Sequence, residues 1–490
     1  MSVEKFNVFN FQDKKVTTLH LSWLAFFITF FMWFSHTSLL PLIVQTFGLS
    51  SAEAKALLFL NVALTIPSRT IVGMLVDKFG PRLMFSVLLV ISGGLCIGFS
   101  MAQSYEQLAA FRFLLGFAGA GFVIGIRLIT EWFPAKQAGT AQGIYGGWGN
   151  FGAAAAGFLL PALAAYFGGD EGWRGAAGSA GVVAIFYAFI FYAFVKNTPK
   201  GSTYFSPKKL GPMEVTSKGD FILYIIMCVP MFLAMGVITW RLSPAGVGLL
   251  NDAVTQGIWL GLSIWFLYQV VQIFKVNKSN LKEGVAELHQ YKFKQVALLN
   301  LAYMVTFGSE VAVVSMLPLY FIDTFNVSIA VAAAMASSFM AMNLVARPGG
   351  GYISDKVGRK RSLLITVLGS AIGYLGLSFV DSSWSIAATM AVVIFCSFFV
   401  QAGAGATFGV VPTIKRRLTG QIAGLTGAYG NVGAASFLLV YSLTDAVTFF
   451  AVICISCCVV LALMKLFLDE PKGQIAEILP DGTVELISVD

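Results

Sequence analysis

Charge is scarce in this chain. Asp, Glu, Lys and Arg make up 11% of its 490 residues, against about 25% in a soluble domain. That deficit excludes a water-soluble globular fold. With 57% hydrophobic residues and a mean hydropathy of +0.79, the composition is that of a polytopic helical membrane protein. Histidine is scarcer still, at three residues. The six cysteines (Cys96, Cys228, Cys396, Cys454, Cys457 and Cys458) lie in apolar segments with no histidine at metal-ligand spacing. Neither a metal site nor a disulfide framework is expected from them. No nucleophile–base constellation and no Walker-type phosphate loop occurs, which disfavours an enzyme and direct ATP drive. The net charge of +8 is no nucleic-acid signature, because the positive residues gather in loops on one side. No cofactor is expected.

What the chain has is apolar runs. Those long enough to span a bilayer fall at about 21–47, 54–76, 83–103, 108–132, 141–167 and 176–196, and again at about 296–324, 329–353, 362–380, 384–411, 421–443 and 446–468. Between the two sets come two more, at about 221–240 and 246–275. The organisation read from this is a first six-helix half (1–196), a cytoplasmic linker with an inserted hydrophobic hairpin (197–295), a second six-helix half (296–470) and a short polar tail (471–490). The inserted runs fit either a hairpin packed outside the bundle or a pair of interfacial helices. Lys and Arg concentrate in alternate loops, which predicts both termini in the cytoplasm; the protein is expected, multi-pass, in the plasma (inner) membrane.

Two segments recur. Pro67 to Arg82 reads PSRTIVGMLVDKFGPR, and Arg69 precedes Asp77 by eight residues. Arg347 likewise precedes Asp355 by eight, at an offset of 278. Gly143, Gly146, Gly149, Asn150 and Gly152 recur as Gly424, Gly427, Gly430, Asn431 and Gly433, all offset by 281. At about 1.5 Å per residue each arginine lies roughly 12 Å from its helix end, near the midplane of a core about 30 Å thick. A cation there costs about 2.5–3.5 kcal/mol and usually faces a polar cavity. One such arginine fits a packing salt bridge. Two at equivalent depth in two repeats are better explained as one shared site in a pseudo-symmetric transporter.

The loops after the second helix of each half, Gly73-Met-Leu-Val-Asp77 with Lys78 to Arg82 and Gly351-Tyr-Ile-Ser-Asp355 with Lys356 to Arg361, resemble the signature loop of the major facilitator superfamily. RFLLGFAGAG (112–121) resembles that superfamily's fourth-helix motif. The resemblance implies two pseudo-symmetric six-helix halves and a gating role for Asp77, Arg82, Asp355 and Arg359; the two extra helices between the halves are read from the apolar runs and exceed the loop usual in the family. GIYGGWGNFGAA (143–154) and GLTGAYGNVGAA (424–435), with the buried arginines, resemble the signature of the nitrate/nitrite porter family. FGSE (307–310), FMAMNLVARPGGGYISD (339–355) and TFGVVPTIKRR (407–417) look most like its branch with plant-type nitrate porters.

That resemblance implies nitrate or nitrite as substrate, with protons and the lipid bilayer as partners, no nucleic acid, and a working monomer. It implies an anion held by Arg69 and Arg347 and by the amides of Asn150 and Asn431. Phe122, Tyr303 and Phe307 would wall the anion in. The physics agrees: a guanidinium is a planar fork of donors that matches a small planar oxyanion. Glu310 lies on roughly the same helical face as Tyr303 and Phe307. It is expected either to carry the coupling proton or to neutralise a buried arginine. Exchanger-type members generally lack an acidic residue there, which favours symport. His36 is a weaker proton candidate. Arg127 and Glu131, four apart, are expected to pair with each other. Still open are a nitrate/nitrite exchanger, a superfamily porter for another small anion, and a sensor that binds the anion without moving it.

Overall fold

The computed structural model describes residues 7–169, 171–207, 211–286, 290–478 and 484–488. The first half comprises α1 (Lys14–Trp33) with α2 (Ser35–Phe47), α3 (Ser51–Ala63) with α4 (Thr65–Phe79), α5 (Pro81–Ser100), α6 (Tyr105–Leu115) with α7 (Gly121–Trp132), α8 (Ala135–Phe167) and α9 (Gly172–Phe194). Then come α10 (Lys218–Leu242) and α11 (Asp252–Glu283). The second half comprises α12 (Phe293–Tyr303) with α13 (Ser309–Phe325), α14 (Ile329–Ala341) with α15 (Asn343–Val357), α16 (Arg359–Ser378), α17 (Ile386–Val410), α18 (Thr419–Leu443) and α19 (Ala446–Phe467). Among the described residues, thirteen of these spans are long and apolar enough to cross a membrane. The pair α14–α15 makes the remaining segment expected from the sequence.

Two details differ from the expectation. The tail is not featureless: β1 (Gln474–Ile478) and β2 (Val484–Ser488) pair antiparallel, with Ala476 opposite Leu486. The second inserted helix starts at Asp252 rather than near 246. Gly248, at φ +75°, turns the chain, and the Asn251 side chain caps the helix by accepting from Val254 N at 2.8 Å. The inserted helices form a hairpin on the outside of the bundle. In α10, Met227 O accepts from Tyr429 Oη of α18 at 2.8 Å, while Arg241 lies over the Phe59 ring of α3. It therefore spans the seam between the halves. α11 lies outside it and buries few of its residues, among them Thr255, Ile273 and Asn277.

Spans break where function is expected. The first-half arginine helix is interrupted at Leu64 and the second-half one at Met342, each five residues before its arginine. The span α6–α7 passes through a 3-10 turn at Gly116–Ala120. The span α12–α13 passes through a π turn at Met304–Gly308. Such turns free backbone groups and redirect side chains, and π turns cluster at functional sites.

The glycine repeat determines how the halves meet. α4 lies along α18, and α15 lies along α8. A Cβ on Gly424 would come within 2.5 Å of Arg69 O, and one on Gly143 within 2.5 Å of Arg347 O. Each arginine helix thus lies on the glycine face of the opposite half, at a separation only glycine permits.

Candidate functional site

The site is built from four segments: the arginine helices α4 and α15, the π turn after α12, and the start of α7. Arg69 is fully buried. Its Nε donates to Gly119 O in the 3-10 turn at 3.0 Å, and its Nη1 crosses the seam to Gly427 O at 2.6 Å. Its Nη2 has no hydrogen-bond partner among the described residues. Its charge faces two rings, with Cζ 5.6 Å from the Phe122 centroid and 5.2 Å from that of Phe307. Hydrogen bonds from charged groups are worth about 1.5–3 kcal/mol and buried cation–π contacts about 2. Together these offset an insertion cost of about 2.5–3.5 kcal/mol without supplying a counter-charge.

Arg347 is placed equivalently but is neutralised. Its Nη2 pairs with Glu310 Oε2 at 2.9 Å. Its Nε donates to Asn343 Oδ1 at 2.6 Å. Asn343 Nδ2 in turn donates to Glu310 Oε1 at 2.7 Å, closing a triangle of buried polar groups. The Arg347 Cζ lies 5.3 Å from the Phe307 centroid. One aromatic ring therefore stands beside both guanidinium groups.

The aromatic wall is a stack. Tyr303 lies parallel to Phe307 (centroids 5.0 Å apart, 6° between planes) and to Phe122 (5.9 Å, 6°). Phe408 meets Tyr303 edge-on at 4.8 Å. The Tyr303 hydroxyl interacts with Arg347. The π turn positions Tyr303 and Phe307 against Gly430, where a Cβ would come within 2.6 Å of Phe307 and 2.8 Å of Tyr303. The asparagines are buried beside the guanidinium groups. Asn431 Nδ2 donates to Gly427 O at 3.3 Å, the carbonyl that Arg69 also uses. Asn150 Nδ2 donates to Gly146 O at 2.6 Å, and a Cβ on Gly146 would lie 3.8 Å from Arg347 Nη1. In this conformation both amides are turned into their own helices.

The structure thus brings together Arg69, Arg347, Asn150, Asn431, Phe122, Tyr303, Phe307 and Glu310. His36 lies apart, bonded to Thr37 at 3.1 Å and facing Arg112.

The loop residues form a second layer, where the halves close. Asp77 accepts from Gly420 N at 2.9 Å and Gln421 N at 2.8 Å, capping α18 of the opposite half. Asp355 accepts from Gly139 N at 3.0 Å and Thr140 N at 2.7 Å near the start of α8. Each carboxylate holds an arginine that reaches across the seam. Arg359 lies 3.6 Å from Asp355 and donates to Ala135 O at 2.5 Å. Arg127 lies 2.9 Å from Asp77, pairs with Glu131, and donates to Arg416 O at 2.9 Å. Arg82 does not take that role. It donates to Tyr192 O at 2.7 Å and lies over the Tyr192 ring. The repeat offset explains this: the position equivalent to Arg359 is Pro81, so Arg82 falls one residue further round the helix.

Asn343, Phe408 and the Asp77 contact of Arg127 are additions to the sequence reading. Asn343 had a usable signal, a polar residue four positions before a buried arginine. The other two are set by tertiary packing.

Comparison with known proteins identifies the fold's relatives. The family model described as Major Facilitator Superfamily matches residues 22–286 and 293–487. The nitrate/nitrite transporter NrtP of Picosynechococcus is 44% identical over 502 residues, covering 94% of this chain and 94% of its own. NrtP of Nostoc punctiforme is 42% identical, covering 96% and 95%. The high-affinity nitrate transporter 2.3 of Oryza sativa is 29% identical, covering 89% and 73%. Among solved structures, the human organic anion transporter MFSD10 aligns with a TM-score of 0.64 at 11% identity, covering 92% of this chain and 99% of its own. The proton:xylose symporter XylE aligns at 0.61 and 16% identity, covering 93% and 96%. By sequence and by fold, the chain belongs to the nitrate/nitrite porter family of the major facilitator superfamily.

Proposed function

We propose that the chain carries nitrate, and also nitrite, across the plasma (inner) membrane by alternating access. It works as a monomer with both termini cytoplasmic, and it couples each anion to a proton. The names of its relatives support the substrate. The observation that carries the reading is the charge balance of the centre. Two buried guanidinium groups flank one ring, and one carboxylate, Glu310, neutralises only one of them.

A planar monovalent oxyanion supplies the missing counter-charge. Arg69 offers its unpaired Nη2 first. Engaging Arg347 requires displacing Glu310, and protonating Glu310 removes the charge that holds it there. The empty centre carries +1 (two arginines, one carboxylate). With one anion and one proton bound it again carries +1. Loaded and empty carriers therefore meet the same electrostatic cost when the halves rock, as symport requires.

Exchange of nitrate for nitrite is the second reading. It is favoured by the closed Glu310–Asn343–Arg347 triangle, which also suits a permanent counter-ion. Proteoliposomes holding the purified protein separate the two. Labelled nitrate is expected to accumulate under an inward proton gradient. Glu310→Gln should abolish that accumulation and leave anion exchange. Uptake seen only with nitrite trapped inside, unchanged by the gradient, supports exchange. No uptake in either condition refutes both.

A further inference from the structure

A third arginine is buried in the first half, away from the centre. Arg112, on α6, is fully buried. None of its three guanidinium nitrogens has a hydrogen-bond partner among the described residues. The titratable groups facing it are Cys96 from α5 and His36 from α2, and neither is a carboxylate. Ser92, one turn before Cys96, is also buried with its hydroxyl unpartnered. Cys96 contacts α9 by donating to Ala177 O at 3.3 Å. Among the described residues, the surroundings therefore hold an unpartnered hydroxyl and no negative charge facing Arg112.

An isolated buried cation is among the costliest arrangements a protein interior can hold. Water can satisfy its N–H groups but leaves the charge unbalanced. An anion does both, and the unpartnered Ser92 hydroxyl can add a donor to it. We propose that Arg112 holds a small monovalent anion, a halide or an oxyanion of similar size, in a second site within the first half. Gly119, whose carbonyl holds Arg69, lies seven residues further along the same span, about 10 Å at helical rise. Trp33 stands near Gly119, 3.5 Å from where its Cβ would be, and His36 is one turn beyond Trp33. The anion at Arg112 thus lies further from the Asp77 layer than Arg69 does. The proposal does not rest on nitrate as the substrate.

The test uses bromide, whose anomalous scattering locates it directly. Crystals of the full chain grown in millimolar bromide are expected to show a peak within hydrogen-bond distance of the Arg112 guanidinium. The peak should persist in Arg69→Met and vanish in Arg112→Met. Where Arg112→Met does not fold, Arg112→Lys should lower the occupancy instead, since it keeps the charge and loses the fork. No peak, a peak only at molar bromide (an adventitious ion only), or a peak that survives loss of Arg112 overturns the proposal. A bromide at Arg112 in a protein that moves no nitrate would refute the transport reading and leave this site standing.

Discussion

Arg69 and Arg347 share a depth, a helix position and a neighbouring ring, but not a counter-charge. Arg347 is one corner of a triangle with Glu310 and Asn343. Arg69 has two carbonyls and two aromatic faces. The two are therefore expected to fail differently. Arg69→Lys keeps the charge but cannot donate to Gly119, Gly427 and an anion together. With a charged hydrogen bond worth about 1.5–3 kcal/mol, the KM for nitrate should rise about ten-fold or more. Arg347→Lys leaves a point charge beside Glu310, so its larger effect should fall on the maximal rate of coupled uptake. Uptake kinetics in proteoliposomes check both, and near-normal KM in Arg69→Lys would contradict the shared-anion geometry. The two arginines were legible in the sequence because a cation in an apolar span is costly and rare. Which of them lacks a partner was not, since Glu310 on α13 and Arg347 on α15 are brought together only by the folded bundle.

At the scale of elements, the repeat that reads as a smooth glycine face is a contact specification. Gly143 and Gly157 lie on the same helix, α8, yet only the first faces the other half. A Cβ on Gly143 would come within 2.5 Å of Arg347 O, while one on Gly157 meets nothing within 4 Å. Gly143→Ala is therefore expected to push α15 off α8. Overpacking costs typically 1–3 kcal/mol, or about 5- to 150-fold in the closed population. Gly157→Ala should transport normally and gain slightly in stability. Initial rates and melting temperatures of the two variants check this, and equal loss in both would show that the loss does not come from the contact between α8 and α15. The glycine spacing was readable in the chain, as were the helix spans. The breaks at Leu64 and Met342, the π turn before Ser309 and the terminal hairpin were not. Periodicity registers a continuous apolar run and is blind to a turn that keeps the run apolar.

Across the whole molecule, the halves close through a pseudo-symmetric exchange. Asp77 caps α18 of the opposite half, Asp355 accepts from two backbone N–H groups early in α8, and each carboxylate's arginine donates to an opposite carbonyl. The two arms are not equal. Asp77 meets Arg127 at 2.9 Å with both side chains fully buried, whereas Asp355 meets Arg359 at 3.6 Å. Removing charge from Asp77 should therefore open this end more than removing it from Asp355. A cap is worth about 0.5–2 kcal/mol, and breaking a buried pair adds to that by removing one of the two carboxylates paired with the buried Arg127. Spin labels at Lys136 on one half and Lys356 on the other, both exposed positions, report the separation. Asp77→Asn is expected to move most of the distance distribution to longer values, and Asp355→Asn a smaller share. α10 contacts both α3 and α18 across the seam. If neither substitution lengthens the distribution, the closure is held by the glycine interfaces alone, and the loop carboxylates do not gate it.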